Sequence, residues 1–294
     1  MTAPEFPTFL SQVFDVTQSD SIIGFQVTWN KKINENLNIL QALSIQPRVY
    51  PVELIDHSGE MKQPGNYQLN INGKFGGFPF VLGYSRNSKP TASMNIPINE
   101  NASINVASTI STYPDIGSSF TYLSNIFTSR IDIDINNYFK DGNMTLFSTY
   151  IPSPKYGFGG SLTLPLSQSS PPMLTLASQF SKGPRRSCLM IHHIGLGEIF
   201  ENNSFAIGTT YTIEPKTIAG VTLKVDQNPL NSELRLGIQR NFVMSRISAV
   251  VSSSGIVQSF FQRNVRQGIL LSTSACADNA HKIYTFGLGL VLES

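Results

Sequence analysis

From Gly24 onward the chain alternates apolar and polar side chains with a period of two. In Asn66 to Phe75, Tyr67, Leu69 and Ile71 alternate with Gln68, Asn70 and Asn72; in Arg130 to Phe139, Ile131, Ile133 and Ile135 alternate with Asp132, Asp134 and Asn136. Val221, Leu223 and Val225 alternate with Thr222, Lys224 and Asp226, and Leu234, Leu236 and Ile238 with Glu233, Arg235 and Gly237. Successive side chains of a strand point to opposite faces, so each run has one apolar and one wet face. Turn signals such as Asn87-Ser88-Lys89-Pro90, Asp141-Gly142-Asn143, Lys182-Gly183-Pro184 and Asp278-Asn279 separate the runs. The pattern predicts strands near 24–31, 37–46, 66–75, 78–86, 91–97, 102–110, 117–124, 130–139, 142–150, 156–164, 173–180, 187–194, 204–211, 218–226, 232–239, 245–252, 255–262, 267–274 and 282–292. Only Arg48 to Gln63 forms a long interruption.

Residues 1–23 follow a different rule. Pro4 and Pro7 break the start, and Thr8 to Val16 places Phe9, Leu10, Val13 and Phe14 at helical spacing with Ser11, Gln12 and Asp15 opposite. This predicts a short amphipathic helix, either packed on a neighbouring surface or sitting inside a pore. The charges of this segment are all acidic: Glu5, Asp15 and Asp20.

Composition narrows what the alternation means. Of 294 residues, 14% are charged and 40% hydrophobic, against about 25% charged in a typical soluble domain. The wet faces are built mostly from Asn, Ser, Thr and Gln, which suits side chains lining a water-filled interior better than a charged exterior. A soluble sandwich or propeller shares the strand spacing, but no blade-length repeat recurs. No apolar run is long enough for a transmembrane helix, whereas a barrel strand needs only about 9–11 alternating residues. Trp29, Tyr84, Tyr138, Tyr150, Tyr156, Tyr211 and Tyr284 fall near predicted strand ends, as an interfacial aromatic girdle requires. A net charge of +2 with scattered basic residues excludes a nucleic-acid surface. Residues 1–30 hold no Lys or Arg, which argues against a presequence, so targeting is expected from internal or terminal signals.

Catalytic and metal-binding patterns are sparse. His192 and His193 are strand neighbours and point to opposite faces; His57 and His281 have no ligand at motif spacing. Gly157-Phe158-Gly159-Gly160 lacks the helix and Lys of a phosphate loop and reads as close packing or strand flexibility. Asp132 and Asp134 share a face as a carboxylate pair, best read as solvated lumen groups. Cys188 and Cys276 are read as free thiols. No enzyme activity, cofactor or metal is expected.

Thr285 to Leu292 is apolar on both faces except at Gly287 and Gly289. Its order of polar residue, glycine two later, then hydrophobic residues three and five beyond (Thr285, Gly287, Leu290, Leu292) resembles the terminal β-signal of mitochondrial outer-membrane barrels. With an acidic helix and about nineteen amphipathic strands, the chain resembles the mitochondrial porin superfamily. Gly24 to Leu37, with Asn30-Lys31-Lys32 before a turn, and Gly65-Asn66-Tyr67-Gln68-Leu69-Asn70 resemble the first hairpins of the central channel subunit of the outer-membrane translocase. The Gly-Leu-Lys triplet and Lys-bearing helix of the near relative, the voltage-dependent anion channel, are absent.

The resemblance implies an all-β fold: a transmembrane barrel over 24–294, preceded by 1–23 with its helix inside the pore, and a first strand pairing parallel with the last. It implies lumen positions for Asp132, Asp134, Lys224, Asp226, Glu233 and Arg235. It further implies residence in the outer membrane of a mitochondrion or related organelle and a homo-oligomer within a complex. The implied partners are precursor proteins with basic presequences, small helical membrane subunits, receptors and the lipid bilayer. The implied function is passage of unfolded precursors, with the metabolite channel as alternative and a soluble all-β binding protein as a third class.

Overall fold

The computed structural model describes residues 3–18, 22–45, 65–86, 88–112, 114–136, 141–167, 171–195, 203–227 and 229–293. The expected loop at Arg48 to Gln63, His57 and Tyr138 lie outside the described residues.

The chain opens with helix α1 (Phe6–Phe14), which tightens into a short 3-10 turn, Asp15–Thr17. The helix therefore begins two residues before the expected Thr8 and ends before Val16. Pro7 does not break it, because a proline in the first turn lacks only an N–H that has no intrahelical partner there.

Nineteen strands follow among the described residues: β1 (Gly24–Asn34), β2 (Leu37–Ile45), β3 (Gly65–Phe75), β4 (Phe78–Ser85), β5 (Ser88–Asn99), β6 (Ala102–Thr109), β7 (Ile116–Leu123), β8 (Phe127–Asn136), β9 (Asp141–Ser153), β10 (Tyr156–Pro165), β11 (Met173–Lys182), β12 (Arg185–Ile194), β13 (Asn203–Glu214), β14 (Thr217–Asp226), β15 (Asn231–Asn241), β16 (Ser245–Ser252), β17 (Ile256–Arg266), β18 (Ile269–Asp278) and β19 (Ile283–Glu293). Each strand pairs antiparallel with its sequence neighbours, forming one continuous sheet. The sheet closes where β1 lies parallel to β19, with Gly24 opposite Gly287 and Trp29 opposite Leu292. An odd number of sequentially antiparallel strands leaves the first and last running the same way, so closure has to be parallel.

Exposure identifies the two faces. Ala206 is 3% exposed while its neighbour Ile207 is 54% exposed. Through the register, Ile207 shares its face with Leu189 and Leu223, and Ala206 shares its face with Met190 and Lys224. The uncovered apolar face continues through Phe158, Leu176, Leu236 and Phe286, with no second sheet among the described residues to cover it. So continuous an apolar exterior is stable in lipid rather than water, which corrects the soluble sandwich or propeller. Trp29, Tyr84, Tyr150, Tyr156, Tyr211 and Tyr284 are exposed on the barrel. A ten-residue strand tilted by about 45° spans roughly 23 Å, close to the apolar band of a transmembrane barrel. No helix among the described residues is long and apolar enough to cross a membrane.

α1 packs on the opposite, inner face. Phe6, Phe9, Val13 and Phe14 form a cluster with Ala177, Cys188 and Ala206, with Phe147 and Met190 against it. The helix therefore lies inside the barrel.

Candidate functional site: the lumen wall

Small residues make a shelf for the N-terminal segment. A Cβ at Gly157 would stand 2.6 Å from the Phe9 ring, one at Gly159 2.6 Å from Phe6, and one at Gly208 2.8 Å from Phe14. The glycines of 157–160 that face inward are thus packing positions. Farther along, the Val16 carbonyl lies over Gly237 and the Ile22 carbonyl over Gly287, where no side chain fits. Thr17 hydrogen-bonds Thr222 at 2.7 Å, and the Ser274 hydroxyl donates to the Ile22 carbonyl. The segment follows the inside of the wall from β8, where Thr128 donates to the Ala3 carbonyl at 2.5 Å, to β19. Among the described residues its contacts with the wall run along β8 to β16, β18 and β19, and Ile22 and Ile23 border a cavity that Ala42, Ser44, Asn66 and Gln68 of β2 and β3 also line.

The charged residues singled out by alternation all lie on the helix-bearing face. On β8, the Arg130 guanidinium donates to Asp132 at 2.7 Å through Nε and to Glu5 at 3.1 Å through Nη1. Arg130 thereby ties the N-terminal segment to the wall and pairs with Asp132. Asp134 carries no such ion pair among the described residues; it sits where a Cβ on Gly117 would touch it at 2.8 Å. On β14 and β15, Lys224 pairs with Asp226 at 3.0 Å and Arg235 with Glu233 at 2.8 Å. Lys224 faces Glu233 across the strands, and Ser252 donates to Glu233 at 2.6 Å. Half-exposed pairs like these contribute only about 0–1 kcal/mol each to stability, so their weight is in the charge they present to the lumen.

Arg130 and Arg246 were not singled out by sequence, and Glu5 was named only as one of the acidic charges of the N-terminal segment. Arg130 lies two positions before Asp132 and so on the same face, a signal the alternation already contains. Arg246 faces inward, donating to Gln239 at 3.1 Å beneath the Phe260 ring. The contact between Glu5 and Arg130 has no local sequence signature. His192 and His193 diverge as expected, bonding Thr175 and Asn203 at 2.8 Å each. No group of three or more metal-ligating side chains gathers among the described residues.

In β19, Thr285, Gly287 and Gly289 face inward and Phe286, Leu288, Leu290 and Leu292 outward, following the pairing of Gly287 with Ser274 and of Gly289 with Ser272. The two glycines lie under the incoming chain at Ile22, and the leucines continue the lipid-facing band.

No protein-family model matches the sequence, and no curated protein matches it. Solved structures match in fold. A triple mutant of the Rhodopseudomonas blastica porin superposes with a TM-score of 0.52 at 11% identity, covering 87% of this chain and 96% of that one. Another mutant of the same porin gives 0.54 at 10% identity with the same coverage. Identity at this level speaks to architecture alone. A closed barrel with an apolar exterior and a polar interior, superposing on porins over most of its length, has a porin-like β-barrel fold.

Proposed function

We propose that this chain is the protein-conducting channel in the outer membrane of a mitochondrion or related organelle. The observation that carries the organelle reading is the parallel β1–β19 closure of an odd-numbered sheet, since bacterial single-chain barrels have even strand numbers and the mitochondrial anion channel has nineteen. The Thr285, Gly287, Leu290, Leu292 spacing on the closing strand supports it further, as a β-signal read during assembly.

Within that superfamily, the lumen favours cations that bind weakly. Asp134 presents a carboxylate with no ion pair among the described residues, and the N-terminal segment along the wall carries Asp15, Glu5 paired with Arg130, and no basic side chain. Asp132, Asp134, Lys224, Asp226, Glu233 and Arg235 line the proposed path. A basic presequence would be held there by several screened contacts, strong enough to draw it in and weak enough to release it. A nineteen-stranded barrel is wider than the 16–18-stranded porins that leave an aqueous channel, which gives an extended chain room beside the helix.

Reversal potentials in planar bilayers under a KCl gradient test this reading. Potassium selectivity and reversible block by basic presequence peptides are expected. Chloride selectivity with ATP permeation would reassign the chain to the metabolite channel, the reading that Arg130, Arg235 and Arg246 on the same face would support. Purification in a large assembly with small helical subunits is the expected native state.

A further inference from the structure

The lipid-facing surface has two unlike rims. The turns β9–β10, β11–β12, β13–β14, β15–β16 and β17–β18 share one rim, where Lys182, Arg185, Arg240 and Arg263 stand on the outer face. Their direction follows from the ladder: Lys182 and Arg185 share a face with Tyr211, Arg240 with Ile247 and Arg263 with Leu271. From β9 to β17, Glu214 is the one carboxylate at this rim among the described residues, 3.9 Å from Arg240. At the opposite rim Asp141, Asp226, Glu233 and Asp278 all turn into the lumen, and among the described residues the outer faces of β9 to β19 present no carboxylate, Lys or Arg there. Aromatic rings are in step with the rim cations. Trp29-Asn30-Lys31, Phe180-Ser181-Lys182 and Phe261-Gln262-Arg263 each put a ring two residues deeper than the cation, on strands that run toward this rim. The Lys31 ammonium lies 5.9 Å from the centre of the Trp29 ring. Two residues of strand span about 6.6–6.8 Å, which sets rings and cations at successive depths of a membrane interface.

The β11–β12 hairpin turns this pattern into a site. Lys182 is paired directly with Arg185, and Arg185 with Tyr211, while Phe180 is paired with Tyr156 at 5.3 Å between ring centres. Both cations are exposed, and neither has an ion pair among the described residues. Like charges directly opposite each other destabilise a ladder, and an anion bridging them removes that repulsion. We propose that Lys182 and Arg185 hold the phosphate of an anionic phospholipid whose chains lie against Phe180, Tyr156 and Tyr211. The guanidinium offers paired donors to phosphate oxygens and the ammonium a compact charge beside them. The site opens onto the outer wall, next to the exposed Leu176 and Leu189, so the anion it suits is one carried on hydrocarbon chains. Such a lipid ties this rim to the more anionic leaflet. Lying outside the lumen, the site does not depend on what passes through the pore.

Trp29 is the single tryptophan of the chain, so a fluorescent reporter can be moved to the site. The full-length protein carrying Trp29→Phe and Phe180→Trp is reconstituted in phosphatidylcholine vesicles. Quenching by brominated phosphatidylglycerol is then compared with quenching by brominated phosphatidylcholine. Two cations predict a preference for the anionic lipid of roughly twentyfold, and Lys182→Gln or Arg185→Gln should each lower it about fivefold. Arg185→Lys should retain most of it. Leu174→Trp, placed instead of Phe180→Trp at the other end of the same strand, should report no preference. Sodium phosphate in the buffer should leave the preference unchanged; its loss would mean a site for a free anion and overturn the lipid assignment. Equal quenching by the two lipids beside Lys182, or the same preference at both ends of β11, would also overturn it.

Discussion

The hydroxyl of Thr17 lies 2.7 Å from that of Thr222, joining the end of the N-terminal segment to the inner face of β14. Thr17 is 1% exposed, so water does not replace that partner when it goes. Thr222→Val keeps the shape and removes one of the two partners of Thr17, leaving the bond that Thr17 donates to the Phe14 carbonyl at 2.9 Å, at a cost of about 0.5–1.5 kcal/mol. The expected outcome is an intact barrel whose segment detaches more often, seen as more frequent gating in single-channel records and faster proteolysis near Thr17.

Gly237 tests the same docking by crowding. The Val16 carbonyl occupies the place of a Cβ there, and Gly220 lies opposite. Gly237→Val should displace the 3-10 turn and change conductance, whereas Leu236→Val, on the lipid face one residue away, should leave both unaltered. Equal single-channel traces for the two variants would show that the segment does not rest on this shelf.

On β19 the two faces predict different injuries. Leu290→Arg puts a charge into lipid at about 2–4 kcal/mol if it lies near the midplane. Gly287→Asp forces a carboxylate under the Ile22 carbonyl. Both variants should be synthesised yet remain extractable from membranes by alkaline carbonate. Normal integration of both would remove the assembly role proposed for this strand.

Arg130 shares its single positive charge between two carboxylates. Arg130→Gln should free Glu5 and Asp132 and shift the reversal potential toward greater cation selectivity. Arg130→Gln combined with Asp132→Asn should bring it part of the way back. An unchanged potential in the single variant would mean that these groups do not face the conducting path.

The alternation in 66–75, 130–136, 218–226 and 232–239 was enough to place strands, because a period of two is set by backbone geometry and by two unlike environments. β8 nevertheless begins at Phe127, three residues before the expected Arg130. Thr128 and Ser129 break the apolar-charged rhythm, but cross-strand pairing of Phe127 with Tyr150 extends the ladder. Pro7 misplaced the helix start because a proline is read as a breaker before its position in the first turn is known. The Glu5–Arg130 contact and the glycine shelf were not legible, since each depends on which distant strand the segment crosses once the sheet has closed. The lumen charges were legible as a face, and their ion pairs across β8, β14 and β15 only as a possibility of spacing.

The parallel seam also sets a timetable. β1 cannot meet β19 until every intervening hairpin is in place, so the contact that seals the sheet spans the greatest sequence separation and should form last. Until then the polypeptide is an open ribbon with two unpaired edges, prone to associate with other chains. Parallel pairing is also slightly weaker per residue than antiparallel, so the joint that finishes the molecule is the one expected to part first under force or heat.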